Sequence, residues 1–204
     1  MARKINLIVI HCSATPSGKS INRGEPGKPG SLTAPQVIDA WHAARGFIRP
    51  QAARLAANSH LPSIGYHFVI DVTGEVWTGR GEDEVGAHAM SYNANSVGIC
   101  LVGGTEREGR YTPKQWASLE QLVQMLCAKY AIPARPPLRA FTGGGTWAIE
   151  RGVCGHRDLS PDKDGDGLVE AFEWLKTCPG FNVSDWLSTA MTPEPKNVFQ
   201  VQPA

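Results

Sequence analysis

Ile5-Asn6-Leu7-Ile8-Val9-Ile10 is an almost unbroken run of large, mostly β-branched side chains. A strand with one wet face alternates apolar and polar residues, so an unbroken run predicts a strand covered on both faces, here ending at His11. Ser96-Val97-Gly98-Ile99-Cys100-Leu101-Val102 has the same character and stops at Gly103-Gly104. Gly65 to Asp71 and Glu75-Val76-Trp77 flank Val72-Thr73-Gly74, which predicts two strands joined by a tight turn. Elsewhere the apolar spacing is helical. Thr33-Ala34-Pro35-Gln36 is a capping box with an early proline, followed by Val37, Ile38, Trp41 and Ala44 before Gly46. Thr112-Pro113-Lys114-Gln115 opens a second helix with Trp116, Leu119, Leu122, Val123, Leu126 and Tyr130 on one stripe.

Between these elements, Pro16 to Gly30 reads as a loop, and Pro133 to Gly145 is a Pro/Gly-rich excursion ahead of a strand-like Val153. Strands and helices alternate irregularly with no repeating period, which predicts the α/β class, a mixed central β-sheet flanked by helices. The chain of 204 residues suits one domain, 1–190, with 191–204 expected as a flexible C-terminal tail because it holds three prolines and few large apolar side chains.

Composition narrows the function. A 42% hydrophobic share excludes disordered and fibrous classes. Charge is balanced, 20 basic against 19 acidic residues, which argues against a nucleic-acid or membrane-surface partner. Five cysteines, an odd number with no Cys-x-x-Cys pair, do not read as a disulfide scaffold. The apolar run after Met1-Ala2-Arg3-Lys4 is too short for a signal segment, so the expectation is a soluble protein made in a reducing cytoplasm without a signal peptide; a monomer is expected.

His11, at the end of a buried strand, stands where sites are usually built, although a lone histidine there is more often a satisfied core residue. His156 in Gly155-His156-Arg157-Asp158 and Cys178 in Lys176-Thr177-Cys178-Pro179 are further soft donors. Two histidines and a cysteine suit zinc and leave a fourth tetrahedral position open, but separations of 145 and 22 positions match no local zinc motif.

Six blocks occur in order: Val9-Ile10-His11-Cys12-Ser13-Ala14-Thr15, Gly65-Tyr66-His67-Phe68, Val85-Gly86-Ala87-His88-Ala89, Asn95 to Gly104, Gly155-His156-Arg157-Asp158, and Thr177-Cys178-Pro179-Gly180-Phe181. Together they resemble the type 2 N-acetylmuramoyl-L-alanine amidases, which share a fold with peptidoglycan recognition proteins and include phage endolysins. The resemblance runs from about Ile5 to Trp186. It implies a peptidoglycan recognition protein-like amidase fold, peptidoglycan as substrate, a catalytic zinc on His11, His156 and Cys178, active-site roles for Tyr66 and Lys176, and a groove position, a substrate contact, for His88. It also implies action on the cell wall after release by a separate, holin-type route. The alternatives are a non-catalytic peptidoglycan-binding protein of this fold, against which Cys178 speaks, and a metal-stabilised interaction module. His67, beside Tyr66, faces the other side of a strand and reads as a core histidine.

Outside that pattern, residues 162–173 fit a calcium loop at every ligand position: Asp162, Asp164, Asp166, the Leu168 carbonyl, Glu170 and Glu173, with Gly167 at the turn. Five carboxylates in twelve residues repel one another without a cation, which predicts a structural calcium ion; a solvated acidic loop is the alternative, and Pro161 precludes an ordinary entering helix.

Overall fold

A computed structural model describes residues 3–106, 108–143 and 146–200. Along the chain it contains β1 (Leu7–Cys12), α1 (Ala34–Ala43), α2 (Gln51–Ala56), β2 (Phe68–Ile70), β3 (Val76–Thr78), β4 (Ser96–Leu101), α3 (Pro113–Tyr130), β5 (Arg139–Gly143), β6 (Thr146–Ile149), β7 (Gly152–Gly155) and α4 (Val183–Ser188). Five strands form one sheet in the order β3-β2-β4-β1-β7; all are parallel except β3, which runs antiparallel to β2. β5 and β6 make a separate antiparallel pair.

Both faces of the sheet are covered, which is why the apolar runs are unbroken. On one face Ile8, Ile10, Val97, Ile99, Leu101, Phe68 and Ile70 pack against Trp116, Leu119, Val123 and Leu126 of α3 and against Val183 and Trp186 of α4. On the other, Val69, Cys100 and Val102 meet Ala34 and Ile38 of α1 with Leu61 and Ile64. Leu7 and Val9 lie on that second face with Cys154. Period-2 alternation therefore sends His11 to the side of α1, away from α3. The helix starts are as the sequence predicts: Gln115 Oε1 accepts from Thr112 N–H at 3.0 Å while Thr112 Oγ1 accepts from Gln115 N–H at 3.1 Å. Gln36 Oε1 accepts from Thr33 N–H at 2.8 Å.

Several elements differ from the sequence reading. β1 starts at Leu7 and runs one residue past the expected end at His11, to Cys12, because β4 continues to pair with it there. β2 begins at Phe68 instead of Gly65; the Gly65 amide donates to His42 Nδ1 at 2.9 Å and its carbonyl accepts from Ala87 N–H, so that stretch is spent on other partners. Helix α2 buries none of its residues and so carries no apolar stripe to read. Helix α4 is six residues long, too short for a period to show. β5 lies in the Pro/Gly-rich excursion and β6 directly after it, two strands that the sequence reading did not expect; residues 144–145 are outside the described residues.

Up to residue 200, the segment expected as a flexible tail packs back onto the rest of the chain. Met191 and Asn197 are buried. The Asn197 carbonyl accepts from Tyr111 N–H at 2.9 Å and from Trp116 Nε1–H at 3.2 Å, and its Nδ2 donates to the Gly109 carbonyl at 2.9 Å. A polar residue that works through backbone groups leaves no apolar signature, so composition alone suggested fraying. Residues 201–204 lie outside the described residues. Replacing Asn197 by alanine strands the buried Gly109 carbonyl, and urea denaturation is expected to show a loss of about 1–3 kcal/mol; an unchanged midpoint would mean that this segment does not hold the fold.

Candidate active site

The register of the parallel strands builds the site. Ile10 lies opposite Gly155, so the next residue of each strand, His11 and His156, emerge side by side at the C-terminal edge of the sheet, where α/β folds place their ligands. Their ring centroids are 4.6 Å apart. Cys178 arrives on a loop whose backbone is pinned: Arg157 N–H donates to the Cys178 carbonyl at 2.9 Å, and Gly109 N–H donates to the Gly180 carbonyl at 2.8 Å. The Cys178–Pro179 peptide is cis. The result is a group in which His11, His156 and Cys178 each offer a ligand atom within 4.8 Å of the others.

These donors fit zinc. Bonds of about 2.0–2.3 Å to nitrogen and sulfur span a group of this size. Burial, then His88, His156 and Lys176, holds His11 well below the ordinary histidine value. Burial and then Lys176 bring His156 down to about 4. Both rings are therefore neutral at pH 7, the form that ligates. The hydrogen bond with Cys12 and burial hold the Cys178 thiol well above its ordinary value, a preference that a bound cation reverses. The Cys12 amide already points its N–H at Cys178 Sγ, 3.1 Å away.

A cavity of about 320 Å³ opens onto the group, and Tyr66, His88 and Lys176 are on its wall together with Trp41, His42 and Arg45. Tyr66 packs its ring 5.1 Å from that of His11, and burial raises its phenol well above the ordinary value, so the hydroxyl stays protonated. Lys176 is exposed at the mouth. None of the described residues lining this cavity is acidic. His88 faces His11, with Nδ1 3.0 Å from His11 Nε2. His67 is buried, and its Nδ1 accepts from Gly98 N–H at 3.0 Å, as a core histidine should.

The sequence reading missed the contribution of α1. Trp41 and His42 of α1, with Arg45 in the turn after it, form a cavity wall, whereas Trp41 read only as one of the helix's apolar positions. A histidine and an arginine beside the apolar stripe were the available signal. Behind Tyr66 lies a second unforeseen feature: Arg49 and Arg80 share the carboxylate of Glu84 at 2.7 and 3.2 Å, and Arg80 Nε donates to the Ile64 carbonyl at 2.6 Å.

The calcium expected on 162–173 is not supported. Asp162, Asp164 and Asp166 do come together, but the carboxylates are met by backbone amides. Asp162 accepts from Gly165 and Gly167, Asp166 from Leu168, and Glu173 from Lys163 and Glu170. Those amides supply the positive ends that the repulsion argument assigned to a cation. Glu170 and Glu173 do not join the aspartate group, so the donors expected with them and the Leu168 carbonyl do not close around one point.

Paired imidazoles, a thiol, a protonated phenol and an ammonium around one cavity define the class: a hydrolytic α/β enzyme with a donor set for a single metal ion. The family model described as N-acetylmuramoyl-L-alanine amidase matches residues 1–181. The endolysin of Escherichia phage T7 is 37% identical over 183 residues, spanning 88% of this chain and 83% of the relative. A protein of uncharacterised function from Haemophilus influenzae is 45% identical over 120 residues, 57% of this chain and 88% of the relative. Among solved structures, the N-acetylmuramoyl-L-alanine amidase LysC from Clostridium intestinale aligns with a TM-score of 0.55 at 26% identity, covering 93% of this chain and 87% of its own. The chain belongs to the type 2 N-acetylmuramoyl-L-alanine amidase family.

His42 on the cavity wall and His67 in the core also set a pH dependence. Burial brings His42 to about 4 and His67 to about 3, whereas an unfolded imidazole titrates near 6.5. Below about pH 6.5 the unfolded chain binds protons that the folded chain refuses, so stability is complete above that value and falls as pH drops towards 4. Each of the two contributes about 1.4 kcal/mol per pH unit to the fall. Urea midpoints measured from pH 7 to 4.5 are expected to decline accordingly, and a flat profile would contradict the neutral assignment.

Proposed function

We propose that this chain hydrolyses the amide joining the lactyl group of N-acetylmuramic acid to L-alanine in peptidoglycan, using one zinc ion on His11, His156 and Cys178, and that it serves as an endolysin on the cell wall. The observation that carries the reading is the His-His-Cys group opening onto a cavity with Tyr66 and Lys176 on its wall. Relatives named endolysin that match along 88% of the chain support it.

When bound, zinc supplies Lewis-acid polarisation of the scissile carbonyl and acidifies water at the site. The chain's own residues do the rest. Tyr66, kept protonated by burial, donates a hydrogen bond towards the carbonyl oxygen as that oxygen gains negative charge. The Lys176 ammonium adds a positive charge at the mouth of the same cavity. Trp41 offers apolar surface to sugar and peptide, Arg45 offers a cation to a stem-peptide carboxylate, and the lack of acidic side chains among the described residues of this wall leaves an anionic substrate unopposed. No helix among the described residues is long and apolar enough to cross a membrane.

Cys178→Ser is expected to lose zinc, by metal analysis of the purified protein, together with clearing of purified peptidoglycan; a variant that keeps both overturns the ligand assignment. Tyr66→Phe and Lys176→Ala are expected to keep zinc while kcat drops, by about 10²–10³-fold if each supplies one donor to the developing oxyanion. Loss confined to KM would move either residue from charge stabilisation to ground-state binding.

A further inference from the structure

His88 lines the substrate cavity, but its ring is not free to serve the substrate. It sits between two glycines. A Cβ at Gly86 would lie 2.5 Å from its Cδ2, and one at Gly98 would lie 2.6 Å from its Cγ. Glycine weakens the interior of a strand and marks close approach, so Gly98 in the middle of β4 is explained by this ring. The loop carrying His88 is pinned as well, with the amides of His88 and Ala89 both donating to Asn93 Oδ1 at 2.8 and 2.9 Å.

The nitrogens of the held ring are both engaged. His11 turns Nδ1 towards Cys178 Sγ at 4.0 Å and Nε2 towards His88 Nδ1 at 3.0 Å. The far nitrogen of His88, Nε2, faces Ser96 Oγ at 3.4 Å, and the Ser96 hydroxyl donates to the Tyr92 carbonyl at 2.7 Å. Proton accounting then runs in one direction. A ligating nitrogen carries no hydrogen, so with Nδ1 of His11 on the metal side its proton must be on Nε2. His88 Nδ1 must accept that proton's hydrogen bond, which puts the His88 proton on Nε2, directed at Ser96. The serine passes its own hydrogen to a backbone carbonyl, which ends the chain with each ring nitrogen used once.

We infer that His88 is a positioning residue: through the relay His11–His88–Ser96–Tyr92 carbonyl it fixes the tautomer and orientation of His11, so that Nδ1 presents its lone pair beside His156 and Cys178. The inference rests on the zinc reading above. It differs from a groove role for His88, since the nitrogen that a substrate would need is committed to a ligand. Neutral imidazole is an uncommon partner in this position, where a carboxylate or carbonyl usually accepts, and it keeps the site free of negative charge.

The test is zinc affinity, measured by competition with a chromophoric chelator on wild type, His88→Leu and His88→Asn, independently of hydrolysis. Removing an outer partner of a metal ligand costs about 10–100-fold in affinity. His88→Leu is expected to bind zinc that much more weakly, and His88→Asn, whose Oδ1 takes the place of Nδ1 as acceptor, is expected to recover most of the loss. Equal loss in both variants, or none in either, overturns the relay while wild-type zinc binding leaves the ligand assignment standing. Wild type that binds no zinc overturns both. Should the variants fail to fold, long-range ¹H–¹⁵N correlation spectra of zinc-loaded wild type decide: the His88 proton on Nε2 is expected, and a proton on Nδ1 overturns the proposal.

Discussion

The parallel pairing of β1 with β7 is the constraint on which the rest of the molecule depends. Two strands 145 positions apart lie side by side in a register that sets Ile10 against Gly155. One step beyond that rung, His11 and His156 leave the sheet together. A slip of one residue would send His11 to the face occupied by Ile8, Ile10 and α3. The apolar cover on both sides of β1 opposes such a slip, because Ile8 and Ile10 fill one core and Leu7 and Val9 another. Packing energy spread along the strand thereby holds two donor atoms in place.

The third donor reaches the site by a different route. Cys178 is on a loop held by backbone hydrogen bonds to Arg157 and Gly109, and by the Tyr111 hydroxyl on the Pro179 carbonyl. Arg157 in turn lies over the Trp174 ring, 4.1 Å from its centroid. The acidic excursion between His156 and Cys178 closes on itself through its own amides, so it returns the chain to the sheet edge without borrowing partners from the site. On the opposite wall, the buried Arg49–Glu84–Arg80 network fixes the segment behind Tyr66, where breaking one member would leave an uncompensated charge. The cavity is thus assembled from neutral imidazoles, a phenol and two cations, with its carboxylate kept outside it.

Legibility in the sequence tracked local physics. The apolar runs around Val9 and Ile99, the capping boxes at Thr33 and Thr112 and the stripe from Trp116 to Leu126 all declare themselves within a few residues, and the structure has a strand or helix at each. The grouping of His11, His156 and Cys178 was legible only through six ordered blocks, since the three follow no spacing rule. Elements without an apolar period escaped: α2 exposes its surface, α4 is too short, and Asn197 anchors its segment through hydrogen bonds that composition cannot show. The acidic loop misled in the opposite sense, because a complete calcium-type pattern says nothing about how many amide N–H groups turn inward to meet it.

By itself the sequence determined the family, the sheet-and-helix class and the inventory of chemical groups, because strand and helix periods and the ordered motifs are properties of neighbouring residues. Tertiary structure alone decided which nitrogen of His11 faces Cys178, that His88 stands against His11 between two glycines, and that α1 and the turn after it bring Trp41, His42 and Arg45 to the cavity. Those facts depend on the pairing register and on close approach between segments tens of residues apart, which no local pattern encodes.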